Sequence, residues 1–555
     1  MKFQKRYLSV AGAIVVLLLS IIPLIDLIRP GFPVTHDGQD HVARIANFYA
    51  SLSEGNIVPR WAANLNWGYG HPILEFLYPF PSYVASLYHF IGFSFVDSTK
   101  LVFASAFIVS MLSMYMWASS AWGVGAGIVA AVLYGFAPYR FVDLYVRGAI
   151  GEHMAFVFPP LIGWGLWRMS QNDTRPPIFA LFVTACSTGL LIISHNALSL
   201  MFLPVLILYG SYLFLTGLKY PMRFILFAAF GILFGFLLSA FYWVPAFFEG
   251  KYTLRDIVTA GDYSTRFVPW LSFLYSPWNY GGGNDLSKWL GAGQLMAVVF
   301  AAGALEHQEK QRRFLVVLFI LLALTLFIMT RGALPLWQTV TLFQKFQFPW
   351  RFLSVSVLLL SLIGAVSIGT THGKRRTYVM VMLCVVTMLG TVGQWKARAY
   401  KVYPESFFTG TYDSTTDTGE SSPIWSVRFM EKRPNEPAFL FPPEGMVTLE
   451  SRTTTERNYS VTALSPVRFI ENTLYFPGWT VWVNGEKLSE DKLLFQDPLY
   501  RGLMTFDLMP GDYSLRFSFE RTKLRRYSET VSLASFVMFV VLLGTIRLWP
   551  TKIKD

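Results

Sequence analysis

The stretch that decides how this chain is arranged is ILEFLYPFPSYVASLYHFIGFSF, residues 73–95. It is apolar and long enough to cross a bilayer, yet Pro79 and Pro81 interrupt it and Glu75 stands near its start. A helix loses hydrogen bonds at an internal proline, and a carboxylate is costly in hydrocarbon. Charge settles the matter. If the stretch crosses, every later loop inverts and the basic clusters fall outside the cell. If it lies along or re-enters the membrane surface, Arg168/Arg175, Lys219/Arg223, Lys310/Arg312/Arg313, Lys374/Arg375/Arg376 and Lys552/Lys554 all join Lys2, Lys5 and Arg6 in the cytoplasm. Five segments then obey the positive-inside rule, so a non-crossing 73–95 is expected.

Outward from that segment the chain is mostly membrane span. Of its 555 residues 53% are hydrophobic and 14% charged, where soluble domains carry about 25% charged residues, so a soluble enzyme is excluded. Charge-poor runs near 8–25, 100–118, 122–137, 154–170, 177–193, 198–216, 224–246, 290–305, 314–330, 353–371, 378–395 and 531–549 read as 12 spans of roughly 20 residues. The first follows basic residues and lacks a small-residue cleavage site, which predicts a retained signal anchor. The net charge of +12 is scattered in short clusters, a pattern of membrane orientation with no nucleic-acid partner. Both cysteines, Cys186 and Cys384, lie inside apolar runs and argue for neither disulfide nor zinc site.

This topology gives the outer side five loops, about 29–99, 138–153, 247–289, 331–352 and 396–530, plus the turn 194–196. The cytoplasmic side receives only brief turns. Function is therefore expected on the outer face of a cytoplasmic (inner) membrane, since long irregular segments need a reason to exist. The last loop alternates apolar and polar residues in MVTLESRT (446–453), YSVTAL (459–464), VRFIENTLYF (467–476) and YSLRFSF (513–519), with turn dipeptides Pro477-Gly478, Asn484-Gly485 and Pro510-Gly511. It reads as a small extracytoplasmic β-sandwich. Three regions are expected: a polytopic α-helical membrane module over 1–395, a β-rich domain over 396–530, and a final transmembrane helix with a cytoplasmic tail over 531–555.

The outer loops carry the chemistry-bearing residues. THDGQDHVAR places Asp37, Asp40, His41 and Arg44 just past the first span, where the acids and imidazole could hold a divalent cation, Mg or Mn, or poise a base; a helix cap is the plainer use. APYRFVDLYVRGAIGEH sets Arg140, Asp143, Arg147, Glu152 and His153 between two spans, where ion pairs tying the loop down are the simpler reading. His195, with Asn196 beside it, occupies the turn between two spans, and Arg351 stands at a span entrance, placed to meet a lipid phosphate or merely to snorkel. The third loop holds GGGND (281–285), which lacks the GK[ST] of a nucleotide loop and reads as a mobile lid. The spans contain almost no ionisable residues, which disfavours ion-coupled transport.

With these residues in view, the chain resembles the GT-C superfamily of polytopic glycosyltransferases, in its YfhO-like branch and among membrane proteins labelled as related to 6-pyruvoyl-tetrahydropterin synthase. The similarity rests on THDGQDH (35–41), RGAIGEH (147–153), SHN (194–196), FQFPWRF (346–352) and FPGWTVWVNGEKL (476–488), spread over nearly the whole chain. No zinc site of a pterin enzyme is visible. The resemblance implies transfer of a sugar, with inversion, from a polyprenyl-phosphate donor to an extracytoplasmic glycan, lipid or envelope polymer. It implies that Asp37 matches a first-loop catalytic acid and Glu152 or Asp143 a second. It also implies that the helix after the first loop runs along the membrane. Arg44, Arg147, His195 and Arg351 would suit the developing phosphate charge, with Asp40, His41 and Asn196 lining the substrate. Two other functions share these features: a flippase for lipid-linked saccharides, and a non-catalytic assembly protein that binds polysaccharide.

Overall fold

The computed structural model describes residues 2–171, 177–281, 286–303 and 309–548, with the side chains of 2–7, 310, 543 and 545–548 excepted. Most of the glycine-rich lid, Arg175, the Lys310 side chain and Lys552/Lys554 lie outside the described residues.

Each of the twelve apolar runs is helical, beginning with α1 (Lys2–Ile21). Among the described residues seven helices have the length and apolarity to cross a membrane unaided, and an eighth is counted if Val124–Gly135 and Pro138–Arg147, bent by 48°, form one span. Three of the other runs differ in length: Ile178–Ser194 and Ala292–Gly303 are shorter apolar helices, and Phe158–Met169 has 12 residues, about 18 Å at 1.5 Å per residue; the last run belongs to the 26-residue helix Lys523–Leu548, whose final side chains lie outside the described residues. The segment Pro349–Thr370 is the axis of the bundle, with 94% of its apolar window buried. An all-round apolar helix belongs in such a place.

The first outer loop contributes α2 (Gly38–Ser53), and the proline-interrupted stretch 73–95 breaks into α3 (Ile73–Phe76) and α4 (Phe80–Phe90). Leu77, which is extended, and Pro79, which precedes α4, separate them, and neither piece approaches the length of a span. α5 (Phe95–Trp122), α6 (Val124–Gly135), α7 (Pro138–Phe141), α8 (Ile150–Ala155), α9 (Phe158–Met169), α10 (Ile178–Ser194) and α11 (Asn196–Leu215) follow.

Strand β1 (Phe32–Pro33) pairs antiparallel with β2 (Tyr400–Lys401), so the chain after the bundle returns to the first loop. The coil between β2 and residue 437 continues that return. Tyr412 N–H donates to Asn64 O (2.8 Å), Trp67 N–H to Tyr412 O (2.9 Å) and Asn66 N–H to Ser414 O (2.9 Å). The β-rich region begins at β3 (Ala438–Phe441), followed by β4 (Gly445–Arg452), β5 (Glu456–Ala463), β6 (Val467–Leu474), β7 (Trp479–Val483), β8 (Glu486–Lys487), β9 (Leu503–Leu508) and β10 (Gly511–Phe519). A five-stranded antiparallel sheet runs β4-β5-β10-β7-β8, and a three-stranded sheet runs β3-β6-β9. Their apolar faces meet: Phe469 of β6 stacks on Phe517 of β10 at 5.8 Å, and Phe506 of β9 lies 6.1 Å from the same ring. Asn484 and Gly485, both at positive φ, make the two-residue hairpin between β7 and β8.

This core also holds residues from the first loop. Trp61 is fully buried there, edge-on to Trp479 at 5.4 Å, with Ala63 and Tyr69 beside it. The β-rich region is therefore completed by residues some 400 positions away, which its period-two pattern could not reveal.

A second tie is ionic. Arg60 donates to Glu75 (2.7 Å) and Glu529 (2.9 Å), while Arg525 donates from Nε and Nη2 to one oxygen of Glu249 (2.9 and 2.7 Å) and lies 3.4 Å from the other oxygen of Glu75. All but Glu529 are buried, and together they fasten the last helix, Lys523–Leu548, to α3 and to the third loop.

Candidate functional site

The first two outer loops are held together by backbone. His36 N–H donates to Val146 O (3.0 Å) and Asp37 N–H to Arg147 O (2.8 Å). The approach depends on Gly148, left-handed at φ +67°: a Cβ there would overlap Thr35 Oγ1 and press on the Gly38 backbone. Gly151, a turn further on, acts in the same way, since a Cβ on it would overlap the ring of Tyr78. The two glycines of RGAIGEH thus set how closely the first loop and Tyr78 approach Glu152.

Asp37 precedes α2, but its carboxylate does not cap the helix; Thr35 Oγ1 accepts from Gly38 N–H at 3.1 Å instead. Asp37 is left exposed. Asp40 accepts from the Tyr412 hydroxyl (2.9 Å), and its carboxyl is raised above the ordinary range by burial and by the charges of Asp37 and Asp417, against the pull of Arg44. His41 is buried, with Nδ1 facing Arg44 Nη1 at 3.1 Å. Burial and the positive charges of Arg44 and Arg147 hold it well below the usual imidazole range. Arg44 also donates Nε–H to Thr416 Oγ1 (2.8 Å).

Asp37, Asp40 and His41 do not form the cation site their spacing allowed. Among the described residues no group of three or more His, Cys, Asp or Glu side chains is placed to hold a metal ion. A lone pair of His41 is turned to a guanidinium and Asp40 is engaged by a tyrosine, so this donor set does not fit Mg or Mn.

Glu152 is the centre of the second loop. Arg147 reaches both its oxygens at 2.8 Å, Arg351 Nε donates to Oε1 at 2.7 Å, and the Tyr139 hydroxyl donates to Oε2 at 2.9 Å. Burial raises this carboxyl, but the two guanidiniums outweigh burial and keep it below the ordinary range. Asp143 is fully buried beneath Arg147 and bonded to it at 2.8 Å. Arg140 stands behind Asp143 in an aromatic cage, 4.1 Å from the Phe156 ring and 5.3 Å from Phe107, with Ser110 accepting one hydrogen bond. His153 stacks on Phe107 in the same cage.

His195, extended at φ −166°, caps α11 by accepting Leu198 N–H on Nδ1 (3.2 Å). The proton is therefore on Nε2, which lies 3.8 Å from Glu152 Oε1. Burial and the nearby arginines lower the ring to about 3, despite Glu152. Tyr78 stacks on this imidazole at 5.0 Å and feels the charges of Arg44, Glu152, Asp37 and Arg351 together; burial pushes its hydroxyl to about 12. One ring thus neighbours groups from four separate regions of the chain. Asn196 stays apart: exposed, it accepts Ala197 N–H in its own first turn.

Several residues at the site carried no sequence signal. Tyr78, Tyr139 and Tyr412 look like ordinary interfacial aromatics. Thr416 and Glu420 belong to TYDSTTDTGE (411–420), a run dense in hydroxyls and acids that could have drawn notice. Glu420 accepts from Gln347 Nε2 (3.0 Å), and burial and Asp417 raise its carboxyl, with Arg351 opposing.

One relative, an uncharacterised protein of Lactococcus lactis subsp. cremoris, is 24% identical over 262 residues, 46% of this chain and 42% of its own. Among solved structures, arabinofuranosyltransferase AftD from Mycobacteria matches with a TM-score of 0.46 and 17% identity, over 71% of this chain and 27% of that one. A mutant form of the same enzyme matches with a TM-score of 0.43 and 17% identity, over 71% and 28%. This chain thus spans under half the length of each. The family model described as 6-pyruvoyl-tetrahydropterin synthase related domain, membrane protein, matches residues 74–397, well over half of the chain and the region that holds Glu152, His195 and Arg351. The chain belongs to that family of membrane proteins.

Proposed function

We propose that this protein is an inverting glycosyltransferase of GT-C type that moves a sugar from a polyprenyl-phosphate donor to an extracytoplasmic saccharide or lipid acceptor, at the outer face of the cytoplasmic membrane. One observation carries the reading: the exposed, uncapped Asp37 is anchored through its own backbone to Arg147, beside a cluster in which Glu152 already holds two arginines.

That arrangement divides the labour between the carboxylates. Glu152, saturated by Arg147, Arg351 and Tyr139, is a poor base and a good positioner of guanidiniums. Asp143 is buried below them. Of Asp37, Asp143 and Glu152, only Asp37 is exposed, with an oxygen to offer an incoming hydroxyl. In the proposed step an acceptor oxygen attacks the anomeric carbon from the face opposite the phosphate, and its proton passes to the Asp37 carboxylate. The bond from the anomeric carbon to the phosphate oxygen breaks, and the polyprenyl phosphate leaves with the electron pair. Arg351 commits Nε to Glu152 and Nη1 to Phe346 O, and Arg44 commits Nε to Thr416 and Nη1 to His41; each keeps Nη2 for the phosphate. The Nε2–H of neutral His195 is a further donor.

The test is turnover of a polyprenyl-phosphate-linked sugar by the purified protein. Asp37→Asn should fold and bind donor but transfer roughly 10²–10⁴-fold more slowly, the usual worth of a general base. Asp40→Asn should cost less, and chelator should leave the rate unchanged. Near-normal turnover by Asp37→Asn would remove the base from this position.

A further inference from the structure

A cleft of about 570 Å³ lies away from this site. It lies at one end of two candidate spans, Leu8–Ile28 and Gly373–Gln394, between Ile22, Ile25 and Ile28 on one side and Val392, Trp395 and Lys396 on the other. Its walls are strongly apolar and open, with Ile25 58%, Ile28 79% and Val392 54% exposed. At its rim Arg29 joins Lys396, and Arg398 and Lys401 are exposed close by in sequence.

The rim carries more cation than its own acid can neutralise. Asp26 takes Arg29 Nε at 2.8 Å and spends its other oxygen on Ala397 N–H (2.8 Å) and the Tyr400 hydroxyl (3.0 Å). Arg29 remains 67% exposed after that pairing, its guanidinium 5.9 Å from the centre of the Tyr400 ring. The cations also stand at an unusual end of the spans. Lys374, Arg375 and Arg376 begin the Gly373–Gln394 span and mark its cytoplasmic end, whereas Arg29 and Lys396 follow the opposite ends. The positive-inside rule does not account for these cations, and beside a single acid they leave the rim with net positive charge. Trp395, and Tyr280, whose hydroxyl donates to Lys396 O at 2.8 Å, supply aromatic rings of the kind that sit at headgroup depth.

We propose that this cleft binds one anionic glycerophospholipid of the outer leaflet, its phosphate between Arg29 and Lys396 and its acyl chains along Ile22, Ile25 and Val392. Apolar walls below two cations match the two portions of such a lipid, and a zwitterionic headgroup would return a positive charge to a rim that already has an excess. The site is separate from the Asp37–Glu152 cluster and does not depend on the transferase reading.

Native mass spectrometry of the purified full-length protein, titrated with phosphatidylglycerol or phosphatidylcholine, tests it. Wild type should retain one phosphatidylglycerol with an apparent affinity roughly tenfold or more above phosphatidylcholine. Lys396→Gln combined with Arg29→Gln should erase that preference, while Lys374→Gln at the other end should preserve it. Should the double variant misfold, Ile25→Gln, which keeps both cations, should weaken retention of both lipids. An undiminished preference in the double variant, or equal loss in Lys374→Gln, would overturn the proposal. So would undecaprenyl phosphate displacing phosphatidylglycerol from wild type at lower concentration, since the cleft would then belong to a donor lipid.

Discussion

Asp37 and Glu152 are brought to one cluster in opposite surroundings, one exposed and uncommitted, the other enclosed by Arg147, Arg351 and Tyr139. Their substitutions should separate accordingly. Glu152→Ala leaves the buried Arg351 guanidinium without a carboxylate and Arg147 with Asp143 alone, and removing one partner of a buried pair typically costs about 3–5 kcal/mol. Thermal unfolding should therefore fall sharply for Glu152→Ala and stay near wild type for Asp37→Asn. His195 gives a pH signature. Its ring is lowered from 6.5 to about 3 in the folded protein, so above pH 6.5 both states are neutral and its stabilising effect is complete. As pH falls from 6.5 toward 3 the unfolded chain takes up the proton first, and stability drops. Unfolding temperatures between pH 7 and pH 4 should decline in wild type and decline less steeply in His195→Asn. His41, lowered in the same direction, sustains some of the slope.

At the scale of elements, the break between α3 and α4 makes the topology testable. Cysteines at positions 72 and 97, labelled with an impermeant reagent, should report the same compartment; opposite compartments would reverse every later loop. The contact between the first and second loops is as specific. Gly148→Ala puts a Cβ into Thr35 at a left-handed position, so Asp37 should shift with its backbone, and a displacement near 1 Å can cost on the order of 10²-fold in rate. A turnover within twofold of wild type would show that the approach of the loops is not limiting. These elements were legible to different degrees. Alternation found most strands of the β-rich region, though not β3, and hydropathy found the long apolar helical runs because the bilayer imposes them, though not α2. It misjudged length, since a run of apolar residues does not say where a helix bends or stops. The convergence of Glu152, His195 and Arg351 was legible because the charge pattern put all three at one face. Tyr78 was not, since a stacked tyrosine differs from an interfacial one only in its neighbours. The Arg60–Glu75–Arg525–Glu249 network was invisible because its partners lie up to 450 residues apart and each alone resembles a snorkelling or loop charge.

For the whole molecule, the β-rich region is not an independent body. Trp61 lies at its centre against Trp479, so a fragment spanning 396–530 should fail to unfold cooperatively in solution. Adding a peptide covering 54–72 should restore a sharp transition; a stable fragment without it would make the two regions separable. The ionic fastening of the last helix bears on how the protein is made. At roughly 5–20 residues per second, the ribosome delivers Arg525 about 20–90 s after Glu75. Through that interval Arg60 and Glu75 have each other and, once it is made, the Phe241 carbonyl that Arg60 also reaches, while Glu249 waits for its late partners, Thr522 and Arg525. The fastening of α3 and the third loop to the last helix is therefore completed only when translation has all but ended, so a chain cut short before Arg525 lacks it entirely.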